Sequence, residues 1–195
     1  MSGRCPVYVG VASIVAFPDW LTVTFSARVC PFPPLAAVAT IENAAVVEAV
    51  GQQWEWSFRF PGKDGVLGTA DARFVNENNP FGLNPNDPYG KDDVLIEGNT
   101  LHLPIGKPIK MVLRSKDVLH DFFVPQFRAR MNLVPGLVTY FWFTPTKTGK
   151  YEILCAQLCG IGHYTMRGYV IVDDQRTFDA WLKKQPTFAQ AVASR

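Results

Sequence analysis

The chain has 195 residues, of which 48% are hydrophobic and 13% aromatic, so it can bury one domain with a short appendage and is too apolar to be disordered. Its 19 basic and 17 acidic residues leave a net charge of +2. That charge is too small for a nucleic-acid footprint or a polybasic membrane patch, so we expect no nucleic-acid partner.

The N-terminal segment is apolar and has two interpretations. Residues 7–17, VYVGVASIVAF, have the length of a signal-peptide core, and the sequence AVA at residues 37–39 could serve as a cleavage site. Residues 7–29 could instead form a poor membrane span, interrupted by a Pro-Asp pair, because a spanning helix needs about 20 apolar residues. We therefore predict that residues 1–40 form an N-terminal hydrophobic targeting or anchoring segment.

The chain beyond this segment has the pattern of a β protein. In QQWEWSFRF the aromatic residues alternate with polar ones, which predicts a half-buried strand with Trp54, Trp56, Phe58 and Phe60 on one side. Residues 62–93 are rich in Gly, Asn, Asp and Pro and predict a long excursion between strands. Six further short strands follow: LHLP, PIKMVLRS, DFFVP, TYFWFTP, YEILC and GYVIVD. This spacing predicts an all-β fold, an antiparallel sandwich or barrel.

A short C-terminal helix is predicted in DDQRTFDAWLKKQ. There Phe178, Trp181 and Leu182 fall on one helical face behind candidate Asp caps. We place the globular domain at residues 41–185 and treat residues 186–195 as a C-terminal tail.

The stretch CAQLCGIGHYTM, residues 155–166, concentrates metal-ligand chemistry on one connecting loop. Cys155, Cys159, His163 and Met166 lie between the strands YEILC and RGYVIVD, so the loop can converge them on one point. Thiolate, imidazole and thioether form a soft-to-intermediate ligand set that favours copper, whereas methionine is a very unusual zinc ligand. His120, at the head of the strand DFFVP, is the natural candidate for a further donor.

The second cysteine of this loop favours two metal ions over one. A mononuclear blue-copper site uses one cysteine, two histidines and a weak axial methionine. Two thiolates can instead bridge two copper ions and leave one histidine and one weaker ligand for each. The donor inventory therefore matches a dinuclear site.

Motifs at four places resemble one known family. The pattern C-x3-C-x3-H-x2-M, preceded by V-L-H, V-P-G and an upstream Q-W-x-W, resembles the CuA domain of cytochrome c oxidase subunit II. The resemblance covers residues from about 46 to 185 and implies a cupredoxin-like Greek-key β-barrel or sandwich. It also implies that the thiolates of Cys155 and Cys159 bridge two copper ions and that His120 and His163 each bind one copper. The thioether of Met166 and the backbone carbonyl of Gln157 would supply weak axial contacts.

The same resemblance implies a function. The protein would be a non-catalytic electron-transfer subunit of a haem-copper terminal oxidase, taking electrons from cytochrome c and passing them to haem in catalytic subunit I. Trp54 occupies the position where electrons enter in the family, and Asp117 falls where an acidic cytochrome-docking residue is often found. The family favours glutamate at the position of Gln157, where the side chain helps to bind a magnesium ion at the subunit interface. A neutral amide is a poorer ligand for this cation, so the sequence does not decide whether the magnesium site is present.

The location and the alternatives follow from the same comparison. We expect a membrane-associated protein with its domain on the periplasmic or mitochondrial intermembrane side, although about 40 residues stand where the family usually has two transmembrane helices. The first alternative is a thioredoxin-type copper-delivery protein, which needs alternating strands and helices and has no use for Met166. The second is a CuA domain of another respiratory reductase. His102 matches no motif, and we expect it to be structural.

Overall fold

The computed structural model describes residues 7–10, 44–96 and 98–193. Within these ranges the chain forms strands and two short helices, in the order β1 (Val7–Gly10), β2 (Ala45–Gln52), β3 (Glu55–Phe60), β4 (Val94–Ile96), β5 (Thr100–Pro104), β6 (Ile109–Ser115), β7 (His120–Val124), β8 (Ala129–Leu133), β9 (Thr139–Pro145), β10 (Gly149–Cys155), β11 (Arg167–Asp173), α1 (Gln175–Leu182) and α2 (Phe188–Ala193).

The strands form two sheets, which confirms the predicted all-β class with a short C-terminal helix. One sheet has the order β1-β9-β6-β2-β3-β4 and the other β5-β11-β10-β7-β8. The expectation of purely antiparallel pairing is wrong for two pairs, because β2 runs parallel to β6 and β5 runs parallel to β11. Parallel neighbours need long crossover connections, and both pairs are far apart in the chain.

The predicted strand QQWEWSFRF is instead a β-hairpin. Gln52 pairs with Glu55 across the turn, and Trp56 pairs with Gly51, so Trp54 lies in the turn and is not part of the strand face. The alternation of aromatic and polar residues gave no sign of the turn, because a turn of two residues leaves a pattern with a period of two residues unchanged. The first half of the hairpin, β2, lacks alternation because residues 47–51 are all buried.

The core lies between the two sheets and is rich in aromatic side chains. Phe122 of β7 meets Trp56 of β3 edge-on, with ring centroids 5.5 Å apart, and lies 6.0 Å from the ring of Phe141 on β9. These contacts join the sheets. The ring of His120 lies 6.4 Å from Trp56, so the same cluster forms one wall around the first residue of β7.

The excursion at residues 62–93 is anchored by buried charge. Arg59 of β3 pairs with Glu48 of β2 and with Asp93, and its guanidinium donates to the carbonyl of Gly68 at 3.1 Å. Burying these groups would be costly if any were unpaired, so the cluster fixes the two ends of the excursion to the sheet.

The C-terminal helix α1 packs on the β5 and β11 side. Asp174 caps it by accepting from the backbone N of Thr177 at 2.9 Å, as the sequence predicted. Trp181 stacks on the ring of His102 at 4.3 Å, and His102 Nδ1 lies 2.6 Å from Asp173 Oδ2. These contacts support the structural role expected for His102.

Residues predicted as a tail form a further element. The helix α2 carries the buried side chain of Phe188, whose backbone N donates to the carbonyl of Asp93 at 2.8 Å. The segment FAQAVA is alanine-rich and only six residues long, which is too short to show the periodicity of a docked helix, so this helix was not predicted within residues 186–195.

Most of the predicted targeting or anchoring segment, residues 1–40, lies outside the described residues. The exception is β1, which pairs antiparallel with β9 at the edge of its sheet. In the ranges that the structure describes, none of the helices has the length and apolar character needed to cross a membrane.

Candidate metal centre

Strand ends bring the predicted donors to one end of the sandwich. His120 is the first residue of β7 and Cys155 the last residue of β10, and these strands are paired neighbours. Met166 immediately precedes β11, and its carbonyl accepts from the backbone N of Cys155 at 3.2 Å. The loop between β10 and β11 is therefore closed at its base beside the histidine.

The two cysteine sulfurs lie at the centre of the cluster, 3.7 Å apart. Around Cys155 Sγ are His120 Nδ1 at 3.9 Å and the carbonyl of Gln157 at 3.1 Å. Around Cys159 Sγ are two further donors, His163 Nδ1 at 3.5 Å and Met166 Sδ at 3.9 Å. Each sulfur thus has one imidazole and one weaker donor beside it. In the described part of the chain, His120, Cys155 and Cys159 form a group of donors that all lie within 4.8 Å.

His120 is fully buried and its ring orientation is fixed. Its Nε2 lies 2.8 Å from Asp117 Oδ1, and because a carboxylate only accepts, this nitrogen carries the proton. The other ring nitrogen then faces Cys155. Burial disfavours the imidazolium, but the contacts with Cys155 and Asp117 outweigh burial and raise the pKa of His120. This outer carboxylate is typical of histidines that bind metals.

The two thiols differ in acidity. Burial opposes ionisation of Cys155, but hydrogen bonds to His120 and to backbone groups outweigh burial and lower its pKa. At Cys159, burial and the adjacent Cys155 sulfur both raise the pKa. One proton therefore leaves readily and the second is retained until a cation compensates for the paired thiolates, so metal binding will release protons.

The turn of the β2–β3 hairpin covers the metal loop. Trp54 is half-buried and its Nε1 donates to the carbonyl of Cys159 at 3.3 Å, while Gln53 Nε2 donates to the same oxygen at 2.8 Å. A Cβ at Gly162 would lie 2.3 Å from the Trp54 ring. Sequence reasoning selected Trp54 but missed Gln53, for which the Q-W-x-W motif was the available signal.

Asp117 faces the site as well as solvent. Its Oδ2 accepts from the backbone N of Gln53 at 2.7 Å, and its side chain is 29% exposed. Burial is outweighed by these hydrogen bonds and by the one from His120, so the pKa of Asp117 is lowered and the carboxylate is charged. Sequence reasoning gave Asp117 a role in docking and did not foresee its contact with His120.

The tip of the metal loop is apolar and exposed. Leu158 is 76% exposed, Ile161 89% and Tyr164 77%. Three such side chains within one short loop form a patch of the kind that marks an interaction surface.

Comparisons with known proteins match the part of the chain that carries this site. The family model described as "Cytochrome C oxidase subunit II, periplasmic domain" matches residues 45–173. The "Alternative cytochrome c oxidase subunit 2" of Bradyrhizobium diazoefficiens is 60% identical over 147 residues, which is 75% of this chain and 53% of that protein. The "Cytochrome c oxidase subunit 2" of Thermostichus vulcanus is 32% identical over 146 residues, covering 75% of this chain and 35% of that protein.

The chain thus spans about half or less of the length of these relatives. Among solved structures, the periplasmic domain of subunit II of cytochrome oxidase from Bradyrhizobium japonicum superposes with a TM-score of 0.54 at 24% identity, covering 74% of this chain and 94% of that one. This likeness supports the fold.

Proposed function

Because the chain belongs to the cytochrome c oxidase subunit II family, we propose that it is the electron-accepting, non-catalytic subunit of a haem-copper terminal oxidase. In this role it receives electrons from cytochrome c at a dinuclear CuA centre and passes them to the haem of catalytic subunit I. The observation that carries the proposal is the paired environment of the two sulfurs, each with one imidazole and one weaker donor within 4 Å.

The residues fit copper in chemistry and in number. Two thiolates, two imidazoles, a thioether and a carbonyl form the soft-to-intermediate set that copper prefers, and these six donors, grouped around two sulfurs 3.7 Å apart, would be enough for two ions. When bound, copper supplies a one-electron redox change. His120, His163, Cys155, Cys159, Met166 and the carbonyl of Gln157 would hold it.

The protein's contribution to electron transfer is rigidity. Cys155, Cys159, Met166 and His120 are buried, and the Asp117 carboxylate fixes the tautomer of His120. Side chains that are already packed and hydrogen-bonded move little when the charge of the site changes. The surrounding aromatic core also keeps water away from the sulfurs.

We propose one surface where electrons enter the domain and another where they leave it. Trp54 covers the metal loop and contacts the carbonyl of Cys159 directly, which supports it as the residue where electrons arrive. Asp117 lies beside it with a charged, part-exposed carboxylate and could contribute to docking of a basic donor. The exposed side chains of Leu158, Ile161 and Tyr164 are proposed to bind the catalytic subunit.

The alternatives have less support. A thioredoxin-type delivery protein requires α-helices between its strands, whereas both α-helices of the described residues follow β11. The matched family model describes a periplasmic domain, and we propose that this domain works on the periplasmic face of a membrane.

The proposal is tested by loading the full chain with copper and measuring metal content and the EPR spectrum. We expect two coppers per chain sharing one unpaired electron, and reduction of the centre by cytochrome c. His120→Gln should disrupt this spectrum, and His102→Gln, at a histidine packed on Trp181, is the matched control that should leave it unchanged. One copper with a four-line hyperfine pattern in the intact protein, or bound zinc, would refute the dinuclear redox centre.

A further inference from the structure

Gln53 is an exposed residue that hydrogen-bonds to both Asp117 and the metal loop. Its backbone N donates to Asp117 Oδ2 at 2.7 Å, and its side-chain Nε2 donates to the carbonyl of Cys159 at 2.8 Å. Asp117 Oδ1 in turn accepts from His120 Nε2 at 2.8 Å. These bonds form a continuous chain from His120 through Asp117 and Gln53 to Cys159, without passing through the metal.

We propose that Gln53 is a positioning residue that holds Cys159 in register with His120 before and after metal binds. The inference rests on the proposed copper site for its holo form, and on the hydrogen bonds alone for the metal-free form. His120 begins a paired strand, but Cys159 lies in the loop, outside any strand. A tether from the β2–β3 turn therefore restrains a donor that no strand pairing holds in place.

The shape of the loop supports this assignment. Gly160 has φ 123°, a conformation that favours glycine, and a Cβ there would lie 2.8 Å from Gln53 Nε2. A Cβ at Gly162 would overlap the ring of Trp54. The loop thus lacks side chains at the two positions where the turn approaches it, so the amide can reach the Cys159 carbonyl at full hydrogen-bonding distance.

The contact needs a hydrogen-bond donor on the side chain of residue 53. The Cys159 carbonyl accepts from Gln53 Nε2 and, at 3.3 Å, from Trp54 Nε1. Alanine at position 53 would leave the backbone bond to Asp117 intact and remove only the side-chain bond to Cys159. Gln53→Ala therefore isolates the last link of the chain.

The matched control is Gln52→Ala. Gln52 is the preceding residue and also an amide with hydrogen bonds, but its partners are Glu55 and Lys116, and neither is a residue of the metal loop. Both variants remove an amide side chain from the same hairpin, so a difference between them reports the Cys159 contact.

The experiment has a metal-free and a copper-loaded arm. In the metal-free full chain, Gln53→Ala should speed amide hydrogen exchange in residues 156–166 by about fivefold to tenfold, the factor expected for losing one hydrogen bond, and leave β2 and β6 unchanged. In the loaded chain, it should speed copper release to a chelator by a similar factor and alter the copper hyperfine splitting. Gln52→Ala should do neither.

Equal behaviour of the two variants in both arms would overturn the positioning role, as would faster exchange throughout the chain, which would mean a general loss of stability. If the wild-type chain bound no copper, the proposed function would fail, and the metal-free arm would still decide whether Gln53 holds the loop.

Discussion

Replacing Gly162 by alanine should displace Trp54 from the metal loop. Gly162 has φ −89° and ψ 9°, which alanine can adopt, so the backbone itself is not strained by the change. The added Cβ would lie 2.3 Å from Cδ2 and 2.5 Å from Cε3 of the Trp54 ring. Carbon atoms normally approach to about 3.5–4.0 Å, so the ring or the loop must move by more than about 1 Å.

The cost of this overlap can be bounded. Overpacking by a methyl group in a well-packed site costs about 1–3 kcal/mol in the free energy of unfolding. Because Trp54 is only half-buried, it can swing outward, and we expect a value near the lower limit together with loss of its bond to the Cys159 carbonyl. The strain should vanish when the ring is absent.

A double-mutant cycle measures this directly. Urea unfolding of the wild type, Gly162→Ala, Trp54→Ala and the double variant should show that Gly162→Ala costs about 1 kcal/mol or more beside tryptophan and about zero beside alanine. Gly90→Ala is the control, because a Cβ there would lie 3.4 Å from its nearest neighbour, an ordinary contact. If Gly162→Ala were equally costly with and without the tryptophan ring, the described packing of Trp54 on the loop would be wrong.

Three further results are expected. Trp54→Phe should cost about 1 kcal/mol or less in stability, keep the copper spectrum and slow reduction by cytochrome c more than tenfold in stopped-flow measurements; an unchanged rate in a folded variant would remove Trp54 from the transfer route. Burial raises the pKa of Asp93 to about 6 despite its pairing with Arg59, whereas the pKa in the unfolded chain is near 3.8. Between these two values the folded state binds a proton that the unfolded state has lost. The free energy of unfolding should therefore fall as pH rises from about 4 to about 6, by up to ~3 kcal/mol. Urea titrations of wild type and Asp93→Asn should show a smaller slope in the variant, and parallel curves would contradict this origin. Asp117→Asn should change the copper EPR spectrum if the carboxylate mainly orients His120, whereas a change confined to the salt-dependent KM for cytochrome c would assign it to docking alone.

The donor loop was predictable because its candidate metal ligands lie close together in the sequence. Cys155, Cys159, His163 and Met166 fall within one connection between two recognisable strands, so their convergence needs no knowledge of distant pairing. The fold class was predictable for a similar reason, since alternation and turn residues are read within short windows. His120 was found because histidines are rare in this chain.

The rest depended on contacts between distant segments. β2 was missed because a strand buried on both faces does not alternate, and β8 was missed because ARMNL is only five residues long and has no β-branched or aromatic residue. The position of Trp54 in a turn became evident only from the pairing of Gln52 with Glu55. Gln53 lies in the Q-W-x-W motif, but its contact with Cys159 could not be predicted because the two residues are 106 positions apart in the chain.

The parallel pairing of β2 with β6 has a consequence for how the chain folds as it is synthesised. β2 leaves the ribosome before its partner, and all of β3, the excursion, β4 and β5 must follow before β6 can pair with it. During that interval its apolar side chains have one hairpin neighbour and an open edge, which is an opportunity for aggregation. The donor loop comes later still, between β10 and β11. The chain can therefore assemble its metal site only after nearly the whole domain has been made.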